Sequence, residues 1–363
     1  MTGARRILWT SLADERPNRE YHWLSLMPDT RVTVAGGPPP SGDVDWIRRE
    51  YRRPVERFTE AVALAWMRGL DSVDGRAFDW VASLELCSLV TAQAQRWARQ
   101  QRVPHAVVIW ANDPELMFYR LPPYSWASRE GMRADLFLSF VRSGYDHCLA
   151  LGLPEERCDW ILPGVDTRIL HPPETPVTEP VVSFISGLAP KKGLSLVIEA
   201  FEQVVLPRVP EAVLQVMGTG PDERLVRELC RRRPGSARYL GSGDVNRVAE
   251  VLRGTAVFAT APWAQRRWNE QYGIAYLEAM ACGVPVVTTI SGTNHEAVRP
   301  PNLRVPHDSE AFGAALLHFL TDPARRAEVG RINRARVLAE HDMLTQATRM
   351  ADVFRRHEQR LKG

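Results

Sequence analysis

Trp268-Asn269-Glu270-Gln271-Tyr272-Gly273-Ile274-Ala275-Tyr276-Leu277-Glu278-Ala279-Met280-Ala281-Cys282-Gly283-Val284-Pro285-Val286-Val287 sets two glutamates eight residues apart across a loop-to-helix junction. Upstream, Ala256 to Thr260 is a short apolar run with strand character, and Ala261 to Asn269, with a proline and two tryptophans, reads as a loop. Leu277 to Ala281 reads as helix, Gly283 stands where a helix C-cap wants positive φ, and Val284 to Thr288 is a buried-strand run with Pro285 near its start. The unit is strand, loop, helix, strand, which is the repeat of an α/β sheet.

Within it, the amides around Gln271, Tyr272 and Gly273 fall at or just before a helix N-terminus, where unpaired N–H groups and the helix dipole favour an anion such as a diphosphate. Gly273 lets phosphates approach the backbone. If most of the segment is helical, eight residues put the two carboxylates roughly 12 Å apart on nearly one face. That is too far for paired hydrolysis, which needs roughly 5 Å in a retaining glycosidase and roughly 6.5–9.5 Å in an inverting one. Two ends of one long ligand fit better. A nucleoside-diphosphate sugar is such a ligand, with Glu270 accepting from sugar hydroxyls and Glu278 from both ribose hydroxyls.

Working outward, Ile7 to Ser11, Val32 to Val34, Phe78 to Ser83, Ala106 to Trp110, Phe137 to Ser139 and Cys158 to Leu162 read as strands. Arg48 to Leu70 and Cys87 to Arg102 show helical periodicity. Pro172-Pro173-Glu174-Thr175-Pro176 breaks the alternation, and it restarts with strands Val181 to Ile185 and Val213 to Met217 and helices Leu194 to Val205 and Asp222 to Arg232. The expectation is an α/β chain of two Rossmann-like domains, 1–172 for the acceptor and 173–363 for the donor, with the last helix free to pack back on the first domain.

The quoted stretch resembles the retaining glycosyltransferases of the GT-B fold grouped as glycosyltransferase family 4. Its EQ-aromatic-G start, its EAMACG-PVV finish and the seven residues between Glu270 and Glu278 look like that family's E-x7-E signature in the EQFG form of one subgroup. Leu162-Pro163-Gly164-Val165-Asp166-Thr167 with His171-Pro172 looks like the crossing into the donor domain. Gly187-Leu188-Ala189-Pro190-Lys191-Lys192-Gly193 is similar to the phosphate-binding loop, and Met217-Gly218-Thr219-Gly220-Pro221 to the second glycine-rich turn. The resemblance implies two Rossmann-like domains facing across a cleft. It implies donor contacts from Glu278, Gln271, Tyr272, Gly273, Ile274, Gly187, Gly218 and Gly220, and catalytic contacts from Glu270 and Lys192. Lys192 stands out on composition as well, because the chain has three lysines (Lys191, Lys192, Lys362) against 43 arginines.

The chain also departs from the pattern. Relatives usually carry an arginine four to five residues before the lysine, where this chain has Gly187. Losing one charge-assisted partner costs about 1.5–3 kcal/mol, for which Arg266, Arg267 or Lys191 are the candidate compensations. The loop Leu12 to Arg19 is polar and glycine-free where many relatives are glycine-rich, and its Asp14 is a candidate acceptor or sugar contact. After Trp110 comes Ala111-Asn112-Asp113-Pro114, in which Asn112 is a candidate acceptor or sugar contact and Asp113 a candidate catalytic residue, although Asn-Asp-Pro is also ordinary turn chemistry. Asp43-Val44-Asp45 has a metal-binding DxD spacing but follows Pro38-Pro39-Pro40-Ser41-Gly42, and is read as a turn. Ser291 to Glu296 can line the donor pocket. Arg48, Arg49, Arg52, Arg53 and Arg57 alternate with Glu50, Glu56 and Glu60, which favours a salt-bridged solvent face over a membrane-facing one.

At 363 residues and 45% hydrophobic content the chain suits two ordinary domains, and its formal charge of +3 gives no argument for nucleic acid. The five cysteines lack metal-ligand spacing, and no signal peptide or apolar span of membrane length is read, so the expected location is cytoplasmic. The expected activity is transfer of a hexose-like residue from a nucleoside-diphosphate sugar co-substrate to a hydroxyl on a small molecule, glycan or lipid. Retention of configuration is implied by the resemblance. Neither metal nor bound cofactor is expected. The alternatives are a hydrolase or epimerase of the same fold, or a non-catalytic nucleotide-sugar binder.

Overall fold

The computed structural model describes residues 4–10, 24–37, 44–52, 64–110, 121–264 and 268–363. These fall into two compact units, Met1–Gly164 together with Met343–Gly363, and Val165–Asp342.

The first unit contains strands β1 (Arg5–Thr10), β2 (Thr30–Gly36), β3 (Asp45–Arg48), a two-stranded pair β4 (Tyr51–Arg52) and β5 (Trp66–Met67), then β6 (Trp80–Leu84), β7 (His105–Ile109), β8 (Leu136–Ser139) and β9 (Cys158–Trp160). Seven of them form a parallel sheet in the order β3-β2-β1-β6-β7-β8-β9. Helices Leu89–Gln101, Tyr124–Gly131 and Arg142–Ala150 make the crossovers from β6 to β9. β6, β7 and β8 are buried along their whole length, the mark of a sheet covered on both faces.

The second unit carries β10 (Val181–Ile185), β11 (Val213–Met217), β12 (Ala237–Tyr239), β13 (Val257–Thr260), β14 (Val286–Thr289) and β15 (Leu303–Val305), parallel in the order β12-β11-β10-β13-β14-β15. Its helices are Leu194–Ala200, prolonged by one π-turn to Val205, Glu223–Arg232, Val245–Arg253, Ile274–Ala281, Ser309–Leu320 and Pro323–Glu340. Asp244, Asp308 and Asp322 cap three of them by accepting from backbone N–H groups three residues on.

Several expectations change. The helix expected over Arg48 to Leu70 is absent at both described ends, which are strands: β3 pairs in parallel with β2, and Tyr51 and Arg52 pair with Met67 and Trp66. Trp46 and Arg48 point out while Asp45 and Ile47 are half-buried, a two-residue alternation that the arginine spacing hides. The turn read at Asp43 to Asp45 is corrected as well, since Asp45 opens β3 opposite Thr33 and pairs with Arg31; Asp43 lies outside the described residues.

The units divide between Gly164 and Val165, where Pro172 was expected. Residues 165–170 are tied into the second unit. Val165 N–H donates to His341 O, Thr167 Oγ1 donates to Asp342 at 2.6 Å, and Arg334 donates to the carbonyls of Thr167 and Leu170. The last helix, Met343–Lys362, belongs to the first unit. It adds Met343, Ala347, Met350, Ala351, Val353 and Phe354 to the core around Ile7, Trp9 and Trp80. Glu358 also pairs with Arg5 and accepts from Trp80 Nε1 at 3.0 Å.

Candidate functional site

In the second sheet the chain runs outward from β10 to β11 and β12 on one side, and on the other to β13, β14 and β15. Open parallel sheets bind ligands at such a switch point, outside the carboxyl ends of the strands where neighbouring loops diverge. Here the loops after β10 and β13 are joined. Ala261 N–H donates to Lys192 O at 3.2 Å, Trp263 N–H to Lys191 O at 3.3 Å, and Trp263 Nε1–H to Pro190 O at 3.1 Å. Gly193 makes the closeness possible: its φ is +72°, and a Cβ there would sit 1.8 Å from Ala261 O.

From this joined base two side chains meet. Lys192 Nζ donates to Glu270 Oε2 at 2.6 Å, with 24% of the lysine side chain exposed and 9% of the glutamate. Trp268 supplies a ring beside them, 4.8 Å from Lys192 Nζ and 4.9 Å from Lys191 Nζ to its centroid, within cation–π range. Glu270 is held from the other side by the loop after β14, where Thr293 N–H donates to Glu270 O at 3.1 Å and Thr293 Oγ1 to Gln271 O at 2.6 Å.

The helix Ile274–Ala281 starts immediately after Gly273, whose φ of +81° turns the chain into it. Its first amides and positive dipole end lie next in sequence to the Lys192–Glu270 pair. Glu278, one turn on, is buried. The C-terminus closes as a Schellman motif: Gly283 has φ +72°, its N–H donates to Met280 O, and Val284 N–H donates to Ala279 O. Arg334 also caps it by donating to Ala281 O at 3.0 Å. Tyr276 is buried, with Thr260 Oγ1 3.1 Å and Thr288 Oγ1 2.9 Å from its hydroxyl. The Tyr272 hydroxyl is 3.4 Å from His341 Nε2. Burial pushes both phenols well above their ordinary pKa, so they remain protonated at neutral pH.

The expected residues therefore land unevenly. Lys192, Glu270, Gln271, Gly273 and Ile274 come together, and Glu278 follows on the same helix. The span from Glu270 to Glu278 is helical only from Ile274, so the roughly 12 Å expected of a continuous helix does not apply. The Tyr272 side chain turns into the protein, leaving its main chain at the junction. Gly218 and Gly220 (φ +140° and +147°) fit the second turn against the first loop, since a Cβ would meet Ser186 O at 1.8 Å and Leu188 O at 2.5 Å respectively. Gly187 is exposed, and a Cβ there would meet nothing within 4 Å. Asp14, Asn112, Asp113 and Arg266 lie outside the described residues. Thr293 falls in the Ser291 to Glu296 segment expected to line the pocket, while Trp268 was given no role from the sequence; the clue available was a tryptophan two residues ahead of the first motif glutamate. Among the described residues no group of three or more His, Cys, Asp or Glu side chains comes together as a metal site, and no helix is long and apolar enough to cross a membrane.

Two parallel-sheet Rossmann-like domains define the fold as GT-B. The chain is similar in structure to HepE of Anabaena, solved in complex with UDP, with a TM-score of 0.76 and 16% identity, covering 96% of this chain and 99% of the other. Residues 166–336, all within the second unit, match the family model described as glycosyl transferases group 1. The GDP-mannose-dependent monoacylated alpha-(1-6)-phosphatidylinositol monomannoside mannosyltransferase of Corynebacterium glutamicum is 34% identical over 183 residues, 49% of this chain and 47% of that protein. The GDP-mannose-dependent alpha-(1-6)-phosphatidylinositol monomannoside mannosyltransferase of Mycolicibacterium smegmatis is 29% identical over 220 residues, 55% of this chain and 57% of that protein. The chain thus spans about half the length of these curated relatives.

Proposed function

We propose that the protein transfers a hexose from a nucleoside-diphosphate sugar to a hydroxyl acceptor, retaining the anomeric configuration and using no metal ion. The observation that carries this reading is the 2.6 Å Lys192–Glu270 pair set just ahead of the helix that bears Glu278. A helix N-terminus and an ammonium are preorganised to stabilise negative charge growing on a leaving diphosphate. Glu270, fixed by Lys192 and by the Thr293 loop, positions the sugar hydroxyls, and Glu278 takes the ribose hydroxyls. The leaving phosphate oxygen accepts the acceptor's proton as the hydroxyl attacks from the same face, so no protein nucleophile is required.

The relatives named above use GDP-mannose and act on phosphatidylinositol mannosides, so we take a GDP-sugar as the first donor and a polyol or glycolipid hydroxyl as the first acceptor class, both met in the cytoplasm. The test is incubation of the purified protein, in excess EDTA, with GDP-mannose or UDP-glucose and a panel of inositol, sugar and lipid-linked acceptors, followed by NMR of the product's anomeric proton. An α-glycoside that forms in EDTA supports the proposal. Release of free sugar at the same rate with and without acceptor would instead identify a hydrolase. An inverted product, or transfer that requires a divalent ion, would refute the corresponding part.

A further inference from the structure

Cys148 and Cys158 lie ten residues apart in sequence, on adjoining elements of the first unit. Cys148 is in the last turn of the helix Arg142–Ala150, and Cys158 opens β9 opposite Phe137 of β8. Backbone bonds fix the connection between them: Leu153 N–H donates to Cys148 O at 3.2 Å, Gly152 N–H to Leu149 O at 2.9 Å and Arg157 N–H to Pro154 O at 2.9 Å. Both side chains enter one small core with Val107, Ile109, Phe137 and Leu153, and there the Cys148 thiol donates to the Cys158 sulfur. The two differ in access. Cys148 is 1% exposed, whereas Cys158, at 9%, also lines a 510 Å³ cavity whose wall carries Glu155, Glu156, Asp159 and Arg360. A cavity walled by charged groups admits a small polar oxidant, which a thiol sealed in an apolar core does not meet.

We propose that Cys158 and Cys148 form a site of reversible oxidation, at which a hydroperoxide oxidises Cys158 from the cavity and Cys148 then closes a disulfide behind it. In the first step the Cys158 thiolate attacks one peroxide oxygen and the O–O bond breaks. Cys158 becomes a sulfenic acid, and the other oxygen leaves as hydroxide or alkoxide and takes up a proton. In the second step the Cys148 sulfur attacks the Cys158 sulfur, the S–O bond breaks, and the hydroxyl leaves with the Cys148 proton as water. The sulfur pair gives up two electrons, and the peroxide receives both. The hydrogen bond between the thiols divides these roles. By donating to Cys158, Cys148 holds the Cys158 thiol below its ordinary range, with Arg157 adding to the effect and burial and the carboxylates of Glu156 and Glu155 opposing it. The same bond, together with burial, pushes Cys148 up, so Cys158 is the one that reacts first. Cys282 is the contrasting case within the chain, a buried thiol that burial pushes up to about 12.

The test is a time course of the folded full chain with hydrogen peroxide, quenched by a thiol-alkylating reagent and read by peptide mass mapping without reduction. A peptide pair joining Cys148 to Cys158, lighter by two hydrogens and released by dithiothreitol, is the expected product. Free Cys158 should disappear about tenfold faster than free Cys282, or more. With dimedone present, Cys148→Ser is expected to accumulate the sulfenic acid adduct at Cys158, and Cys158→Ser to leave Cys148 reduced. If Cys148 and Cys158 are still reduced when the half-buried Cys87 and Cys230 have been oxidised, the proposal is overturned. It is equally overturned if either joins another cysteine, or if wild-type Cys158 passes to the sulfinic acid without forming the disulfide. An adduct at Cys148 in Cys158→Ser, with none at Cys158 in Cys148→Ser, would overturn the assignment of roles. The wild-type map decides the existence of the site even if a serine variant does not fold, and alanine then replaces serine for the assignment.

Discussion

At the scale of single residues, the Lys192–Glu270 pair is a more exacting feature than either side chain alone. A carboxylate this buried beside an ammonium that is a quarter exposed depends on its partner, and removing one member leaves the other's charge poorly compensated. Glu270→Ala is therefore expected to cost about 1–3 kcal/mol of stability and to lower kcat/KM for transfer by about 100-fold or more. Glu270→Gln, which can still accept from Lys192, should fall between. A Glu270→Ala enzyme with near wild-type turnover would remove Glu270 from the reaction. His105 offers a residue-scale prediction of another kind. Its Nδ1 lies 2.6 Å from Gln95 Oε1 and its Nε2 2.8 Å from Ser83 Oγ, an arrangement that suits a neutral ring donating at Nδ1 and accepting at Nε2. Burial pushes its pKa down to about 3. The unfolded chain then binds the extra proton first, so stability is full above about pH 6.5 and declines as pH falls from there toward 3. Denaturant titrations should show a loss of roughly 3 kcal/mol between pH 6.5 and 4 that a His105→Gln variant lacks.

At the scale of elements, the glycine turns and the loops they join decide whether the site exists. Gly218 lies at φ +140° with Ser186 O where a Cβ would stand, so Gly218→Ala forces the second turn away from the first loop and should cost about 2 kcal/mol or more, read as a lowered melting temperature. Gly187 behaves oppositely. With open space around its Cβ position, Gly187→Arg should melt within a few degrees of wild type and, by adding a cation to the loop that carries Lys192, tighten GDP binding. Unchanged or weaker GDP binding would show that position 187 does not face the phosphates. These elements also show why some of the structure was legible in the sequence and some was not. Val181–Ile185 and Val213–Met217 are buried end to end, so their apolar runs announce themselves with the observed limits. The segment over Arg48 to Leu70 misleads because short strands with outward-facing Trp46, Arg48 and Arg52 place arginines at spacings that also satisfy a helix. Lys192 and Glu270 were each readable from motif chemistry. Their contact was not, because it depends on β10 and β13 being neighbours in the sheet while the two residues lie 78 apart in sequence.

At the scale of the whole molecule, the chain returns at its end to the unit in which it began. Met350, Val353 and Phe354 of the final helix are buried against Ile7, Trp9 and Trp80, and each such side chain contributes about 1.5–3 kcal/mol. A domain's entire margin is only about 5–15 kcal/mol. The first unit therefore cannot be completed by residues 1–164, even though seven strands of its sheet are already present there. The described side chains of the proposed donor site, by contrast, all come from 186–294, inside the second unit with its separate core around Phe184, Phe201, Phe312 and Phe319. A chain ending at Asp342 is accordingly expected to lose the cooperative unfolding of the first unit, seen as rapid amide exchange along β1, β6 and β7, while β10, β11 and β13 stay protected. It should also keep GDP binding within about tenfold of wild type, because neither Lys192, Glu270 nor Glu278 has lost a partner in its own unit; that tolerance corresponds to about 1.4 kcal/mol. Protection of the second sheet with GDP binding abolished would mean that the first unit supplies an essential part of the donor site, and the search for it would then begin at Asp14, Asn112 and Asp113.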